Sequence, residues 1–410
     1  MTTTIVLGAG MVGVSTALAL QAIGDTVVLV DRKGIGRETS FGNAGAIQTE
    51  AVEPYAFPRQ PRRLLGIALG RGGEVNWHFG AMPEHLRPLL SYWWNSRPQS
   101  HARLSQHYHA IVGQSDLYHA PLIAAAKAEE LVERRGYHVI FRTEKGLDAA
   151  WKDARRLNGQ WGVASRRLDG AELTALEPGL KQSLPGAVHF QDVWTCRSPG
   201  GLSAAYGRLF QARGGNFVYG DAQSLEQTRS GWRLTTEVGR VDAERVVLAL
   251  GSWSTQVTGR LGYRIPLFRK RGYHRHFDAA GGPTHPLYDA ERATFMAPMT
   301  QGLRLCTGAE FTRLDAEIDW RQIRRSEASA RELFDFGDPV EAEPWFGHRP
   351  CLPDMLPVIG EAPRHPGLWF HFGHGHQGFT AGPASARILV SAMIGQPLPV
   401  VAALGAARFG

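Results

Sequence analysis

The chain has 410 residues, more than one hydrophobic core usually sustains, so two structural lobes are expected. Its 43% hydrophobic and 20% charged residues suit an ordinary soluble globular protein, and three scattered cysteines (Cys196, Cys306, Cys351) argue against a disulfide framework and fit a reducing cytoplasm. A net charge of +7 without a nucleic-acid-binding motif makes nucleic acid an unexpected partner, and no apolar run approaches the ~20 residues of a spanning helix.

The first twenty residues lack a basic leader and are interrupted by Gly8, Gly10 and Gly13, so they read as a strand and a helix rather than a signal peptide. Thr3 to Leu7 is the strand, Met11 to Ile23 the helix, and Thr26 to Val30 a second strand ending at Asp31, which together make a βαβ unit. Between strand and helix, Gly8-Ala9-Gly10-Met11-Val12-Gly13 fits G-x-G-x-x-G, in which the glycines allow a tight turn, close approach of a pyrophosphate and close helix packing. A phosphate there meets unpaired N–H groups at the positive end of the helix dipole. Asp31, twenty-three positions after Gly8 and followed by Arg32, is placed to accept hydrogen bonds from an adenosine ribose. This unit predicts a bound dinucleotide without distinguishing NAD from FAD.

Glu38 to Gly45, with Ser40, Asn43, Ala44 and Gly45, is either a polar surface loop or a backbone stretch approaching a second part of the cofactor. From Pro54 to about Tyr92, prolines, arginines and tryptophans suggest an insertion. Within it, Met82 to Trp94 predicts an amphipathic helix whose Leu86, Leu89, Leu90, Trp93 and Trp94 either pack on a second lobe or face a membrane carrying quinone. His101 to Arg135 predicts a long helix or helix pair, Ala171 to Leu176 a short helix, and Leu202 to Ala212 another, ended by Gly214 and Gly215. Asn216 to Val241 suggests a strand and hairpin, Glu244 to Leu250 a buried parallel strand entering Gly251, and residues 265–311 short runs of a separate sheet.

Near the end come a strand, Leu368 to Phe372, a glycine loop, Gly373 to Gly382, and a helix, Ala384 to Ile394. The loop begins Gly373-His374-Gly375-His376-Gln377-Gly378-Phe379-Thr380, and donors at its helix start could face the edge of an isoalloxazine ring, favouring the charge gained on reduction. No third ligand is spaced near His374 and His376, so no metal is expected and each reads as a residue that orients or gates.

These segments together resemble the D-amino acid oxidase superfamily of FAD enzymes, and within it the bacterial D-amino acid dehydrogenase branch. The resemblance runs through Gly8 to Gly13, Thr39-Ser40 with Asn43 to Gly45, Val246 to Ser254, Arg271-Gly272-Tyr273, Trp345 to Gly360 and the final glycine loop. It implies a mixed α/β and α+β protein: a Rossmann-type FAD lobe assembled from 1–53, 145–264 and 345–410, and a substrate lobe of 54–144 and 265–344 on a mainly antiparallel sheet. It further implies that Gly251, with Trp253, lies near FAD, and that Ser40 and Asn43 to Gly45 approach the flavin. Arg349, in Trp345 to Asp354, stands where the family's arginine meets the substrate carboxylate. Tyr273 would add a hydroxyl or an aromatic wall, or simply be a half-buried strand tyrosine.

Some relatives hold the flavin covalently through a cysteine six positions before the proline of a Pro-Asp pair. Here that position is Gly347, so noncovalent FAD is expected. Asp192 to Pro199 departs from the acidic, glycine-rich stretch of the best-known dehydrogenases, which leaves the substrate open. The implied reaction is oxidation of a small amino acid, a D-amino acid in the first place, with quinone or oxygen as electron acceptor. A 2-hydroxy acid or a secondary amine is the alternative substrate, and a flavin-binding partner subunit the alternative class.

Overall fold

The computed structural model describes residues 2–68 and 74–410. Two sheets organise it. The first has six strands in the order Asn216–Tyr219, Thr26–Asp31, Thr3–Leu7, Arg245–Leu248, Leu368–Phe372 and Val358–Glu361, and only the last pair is antiparallel. Parallel strands are covered on both faces, which accounts for their runs of Val, Ile and Leu. One face packs under the helices Met11–Ala22, Gly378–Met393 and Pro199–Ala212. The other lies under a small sheet of Glu226–Thr228, Gly231–Thr236 and Gly239–Ala243, which buries Trp232 and Leu234 against Ile5, Leu7, Val246 and Leu248.

The second sheet has ten strands. Phe268–Phe277 lies inside it, hydrogen-bonded to Trp345–Cys351, Gly302–Cys306 and Ala309–Phe311. The sheet then runs from Gly302–Cys306 through Thr294–Met299, Leu287–Asp289, Tyr137–Phe141 and Gly186–Phe190 to Ser165–Asp169. Its pairs are antiparallel except Leu287–Asp289 with Tyr137–Phe141 and Ala309–Phe311 with Val75–Trp77.

Several segments cross the boundaries expected from the sequence. Ser165–Asp169, Gly186–Phe190 and Trp345–Cys351 belong to the second sheet, not to the first lobe. The helices Pro98–Val112 and Ser115–Ala125, expected in the second lobe, bury Leu104, Tyr108, Ile111 and Ile123 in the core under the first sheet. The apolar stripe of a helix shows that it is buried, but not against which core. The C-terminal helix starts at Gly378 rather than near Ala384, because Phe379 and Thr380 are buried and this packing outweighs the glycine signal.

Candidate functional site

The glycine turn is held by contacts that tolerate no side chain. Gly8 has φ +101°, and a Cβ on Gly13 would lie 1.7 Å from the Gly8 carbonyl oxygen, so the helix can approach the strand only as glycine. The first helical hydrogen bond is Val14 N–H to Gly10 O at 2.9 Å, which leaves the donors before it for other partners. One of them, Met11 N–H, donates to Ser40 Oγ at 2.9 Å. Asp31 Oδ2 accepts from Ala9 N–H at 2.8 Å and Oδ1 from Lys33 N–H at 2.8 Å, so Asp31 braces the turn as well as facing the cavity. Arg32 pairs with Glu38 at 2.7 Å and lies 4.5 Å from the ring centre of Trp253.

A cavity of about 1040 Å³ runs from this turn to the second sheet, the upper end of the size range of ligand sites. Its lining begins with Gly8, Gly10, Met11, Val12, Asp31 and Arg32, and continues through Ser40, Asn43, Ala44, Gly251 and Trp253. A Cβ on Gly251, at φ +54°, would meet only open space. Beyond these come Gly373, Gly375, His376, Gly378 and Phe379, with Tyr273 and Arg349 from the second sheet.

Four residues expected at the site do not line the cavity. Gly13 is the helix contact described above, and Gly45, at φ +82°, lies against the Cys196 carbonyl, where a Cβ would come within 2.3 Å of the oxygen. Thr380 Oγ1 accepts from Gln48 N–H at 3.2 Å and donates to Ala46 O at 3.3 Å, pinning the segment after Gly45. Gln377 is buried at the helix start and donates to Gln48 Oε1 at 3.3 Å. His374, by contrast, is on the lining, but its ring is fixed by a bond to Ser385 Oγ at 3.0 Å.

At the far end, Arg349 donates to the carbonyls of Gly308 (3.2 Å) and Thr307 (3.3 Å), and no carboxylate among the described residues pairs with it. Its guanidinium lies over Gly272, where a Cβ would come within 2.4 Å of Nη2. Directly opposite in the paired strand stands Lys270, which the sequence reading did not single out. The Lys270 ammonium lies 4.7 Å from the Tyr92 ring centre and has no carboxylate partner among the described residues. Burial pushes the affinity of both Arg349 and Lys270 for their protons down, and each cation lowers that of its neighbour Lys270 or His376 further. His376 is held neutral, at about 3, by burial and by these two cations.

Of the roles expected for Tyr273, the hydroxyl is committed away from the cavity. Its hydroxyl donates to Glu310 Oε2 at 2.7 Å and accepts from Asp319 N–H at 3.0 Å, in a buried network that also holds Arg271 2.6 Å from Glu310. What it offers the cavity is therefore ring and backbone. Strand parity explains this: residues 271 and 273 share one face, while Lys270 and Gly272 share the other. A second unforeseen residue is Glu50, a buried carboxyl on the lining that accepts from Tyr137 OH at 3.0 Å and Gln48 Nε2 at 3.1 Å. Burial raises it to about 7. Alternation in the strand of Lys270 could have flagged that residue, but nothing local in Gln48 to Glu53 marks Glu50.

The chain matches the family described as FAD dependent oxidoreductase over residues 3–392. It is 30% identical to a D-amino-acid oxidase from Bradyrhizobium diazoefficiens over 98% of each chain, and 31% identical to a D-amino acid dehydrogenase from Cereibacter sphaeroides over 99% of this chain and 95% of that one. Among solved structures, glycine oxidase from Geobacillus kaustophilus aligns with a TM-score of 0.73 at 18% identity, covering 97% of this chain and 96% of that one. L-proline dehydrogenase from P. horikoshii aligns with a TM-score of 0.73 at 13% identity, covering 100% and 97%. The glycine turn, the open space at Gly251 and the single cavity reaching both suit an extended flavin dinucleotide.

Proposed function

The chain belongs to the FAD dependent oxidoreductase family, and on that premise we propose that it oxidises the Cα–N bond of a small amino acid, a D-amino acid in the first place. The product is an imino acid, which water hydrolyses to a 2-oxo acid and ammonia. The observation that carries this reading is Arg349, a half-buried guanidinium facing the cavity without a carboxylate partner among the described residues. A planar fork of that kind matches a substrate carboxylate through two charge-assisted hydrogen bonds. The names of the relatives, D-amino-acid oxidase and D-amino acid dehydrogenase, support the same substrate class.

Bound noncovalently, FAD supplies the hydride acceptor. Gly8, Gly10, Met11, Val12, Asp31 and Arg32 would hold its adenosine and pyrophosphate, and Ser40, Asn43, Ala44, Gly251, Trp253, Gly373, Gly375, Gly378 and Phe379 its flavin half. Orientation of the Cα–H bond by Arg349 contributes much of the catalysis, since well-placed reactants gain roughly 7 to 11 kcal/mol.

An anaerobic flavin-reduction panel tests the reading. D-Alanine, D-proline, glycine, sarcosine, hydroxyproline and the L-amino acids are compared with 2-hydroxyglutarate, and at least one amino acid or secondary amine should bleach the flavin promptly. Bleaching by the hydroxy acid alone would transfer the assignment to alcohol oxidation, and none at all would favour a partner subunit. For the electron acceptor, the exposed Leu86, Leu90 and Trp94 on the helix Met82–Asn95 favour contact with a membrane carrying quinone over a freely diffusing oxidase.

A further inference from the structure

Among the described residues, Glu50 is the one buried acidic group on the cavity lining whose chemistry the reading above does not use. It follows the short strand Ala46–Ile47 and is 7% exposed. Oε1 accepts from Tyr137 OH and Gln48 Nε2, whereas Oε2 is buried without a protein partner. Two other carboxylates on the lining, Glu38 and Glu53, are paired with Arg32 and Arg156. Glu50 has no cationic partner among the described residues.

Among the described residues of the lining, Arg349 and Lys270 are cations without a carboxylate partner, and Glu50 is a buried carboxyl without a cation. A buried charge without a counter-ion is costly, and a ligand that supplies both missing partners removes that cost. The ligand with that pattern is a zwitterion. Its carboxylate meets the cations, and its nitrogen meets the Glu50 carboxyl.

We propose that Glu50 receives the nitrogen of the substrate and takes its ammonium proton, an assignment that rests on the amino-acid reading above. In this step one N–H bond of the ammonium breaks and an O–H bond forms on the Glu50 carboxylate, while the electron pair stays on nitrogen. That pair then forms the C=N bond as the Cα hydride leaves for FAD, so the two electrons removed from the substrate end on the cofactor. The proton passes from Glu50 to water after the product has left.

The setting suits this exchange. The titratable groups facing Glu50 are Tyr137, from the strand Tyr137–Phe141, and Tyr108, from the helix Pro98–Val112; burial keeps both phenols protonated, and Gln48 and Gln377 complete the surroundings uncharged. With a carboxyl raised to about 7, proton uptake and release are both accessible near neutrality.

The test is Glu50→Gln in the FAD-loaded enzyme, with flavin reduction followed anaerobically from pH 6 to 10 using the amino acid that reduces the wild type fastest. The variant should lose about a hundredfold near neutral pH, and the loss should shrink at alkaline pH, where the amine arrives already neutral. Tyr137→Phe, which removes a hydrogen bond to the charged form of Glu50, should move the acidic limb of the profile upward. A readout without turnover uses 2-aminoisobutyrate, which has no Cα hydrogen. Calorimetry should show the wild type binding it more tightly than isobutyrate, and Glu50→Gln losing that preference. A loss equal at every pH, or unchanged preference for 2-aminoisobutyrate, would overturn the assignment while leaving the amino-acid reading intact. A wild type reduced by no amino acid would remove both.

Discussion

The Asp31 carboxylate accepts the Ala9 N–H at 2.8 Å, tying the end of the second strand to the turn that follows the first. Its other oxygen accepts Lys33 N–H at 2.8 Å and Gly34 N–H at 3.3 Å. A residue placed by the sequence as a ribose acceptor therefore also shapes the loop beside the nucleotide. Asp31→Ala removes three hydrogen bonds to a charged acceptor, each worth roughly 1.5 to 3 kcal/mol before the chain relaxes. Retention of FAD, followed by recovery of free-flavin fluorescence, should weaken at least tenfold. An unchanged dissociation constant would reject the role.

A second expectation concerns acid. Burial holds His119 at about 4 and His374 and His376 at about 3, below the ~6.5 of an exposed imidazole. Because these folded-state values lie below the unfolded one, the unfolded chain binds more protons between about pH 6.5 and 4. Stability is present above that window and falls as the pH drops through it, by up to about 1.4 kcal/mol per group and pH unit. Tm should fall steeply from pH 6.5 to 5 in calorimetric scans; a flat profile would contradict the buried neutral rings.

The helix Met82–Asn95 divides its apolar residues. Leu89 and Tyr92 pack inward, while Leu86, Leu90 and Trp94, one turn apart, are 49%, 59% and 55% exposed. Trp93 is half-buried under the Arg59 guanidinium, 4.1 Å from its ring centre. The inward face fits packing on the second lobe, and the outward face leaves the membrane reading to experiment. The protein should float with anionic vesicles at low salt, and Leu90→Glu should abolish this without changing flavin content; wild-type protein left at the bottom of the gradient would rule out the contact.

How much was legible beforehand depended on the range of the signal. The βαβ unit, its glycine turn and Asp31 are local, because spacing alone brings strand, turn and helix together. Arg349 was reached by resemblance, and its place on the cavity lining and lack of a carboxylate partner among the described residues appear only in the fold. Lys270 was missed because its importance arises from pairing with Arg349, far along the chain, which no periodicity encodes. For Tyr273 the sequence left hydroxyl and ring both open, and strand parity decides between them, since the hydroxyl shares the face of Arg271 and Glu310. Glu50 sits in irregular backbone, where neither period nor turn chemistry reveals which way a side chain points.

The central claim is that Arg349 binds a substrate carboxylate, and its most direct test compares kcat/KM of Arg349→Met with the wild type. FAD should stay bound, while kcat/KM toward the best amino acid falls by roughly 2 to 4 kcal/mol, about thirty- to a thousand-fold. Arg349→Lys should recover only part of this, because a point charge keeps the attraction and loses the planar fork. Lys270→Met, which removes the opposing cation, should lose less. For an amine substrate without a carboxylate, the Arg349→Met loss should shrink towards unity. Normal kcat/KM in Arg349→Met, or an equal loss with and without a carboxylate on the substrate, would contradict the account.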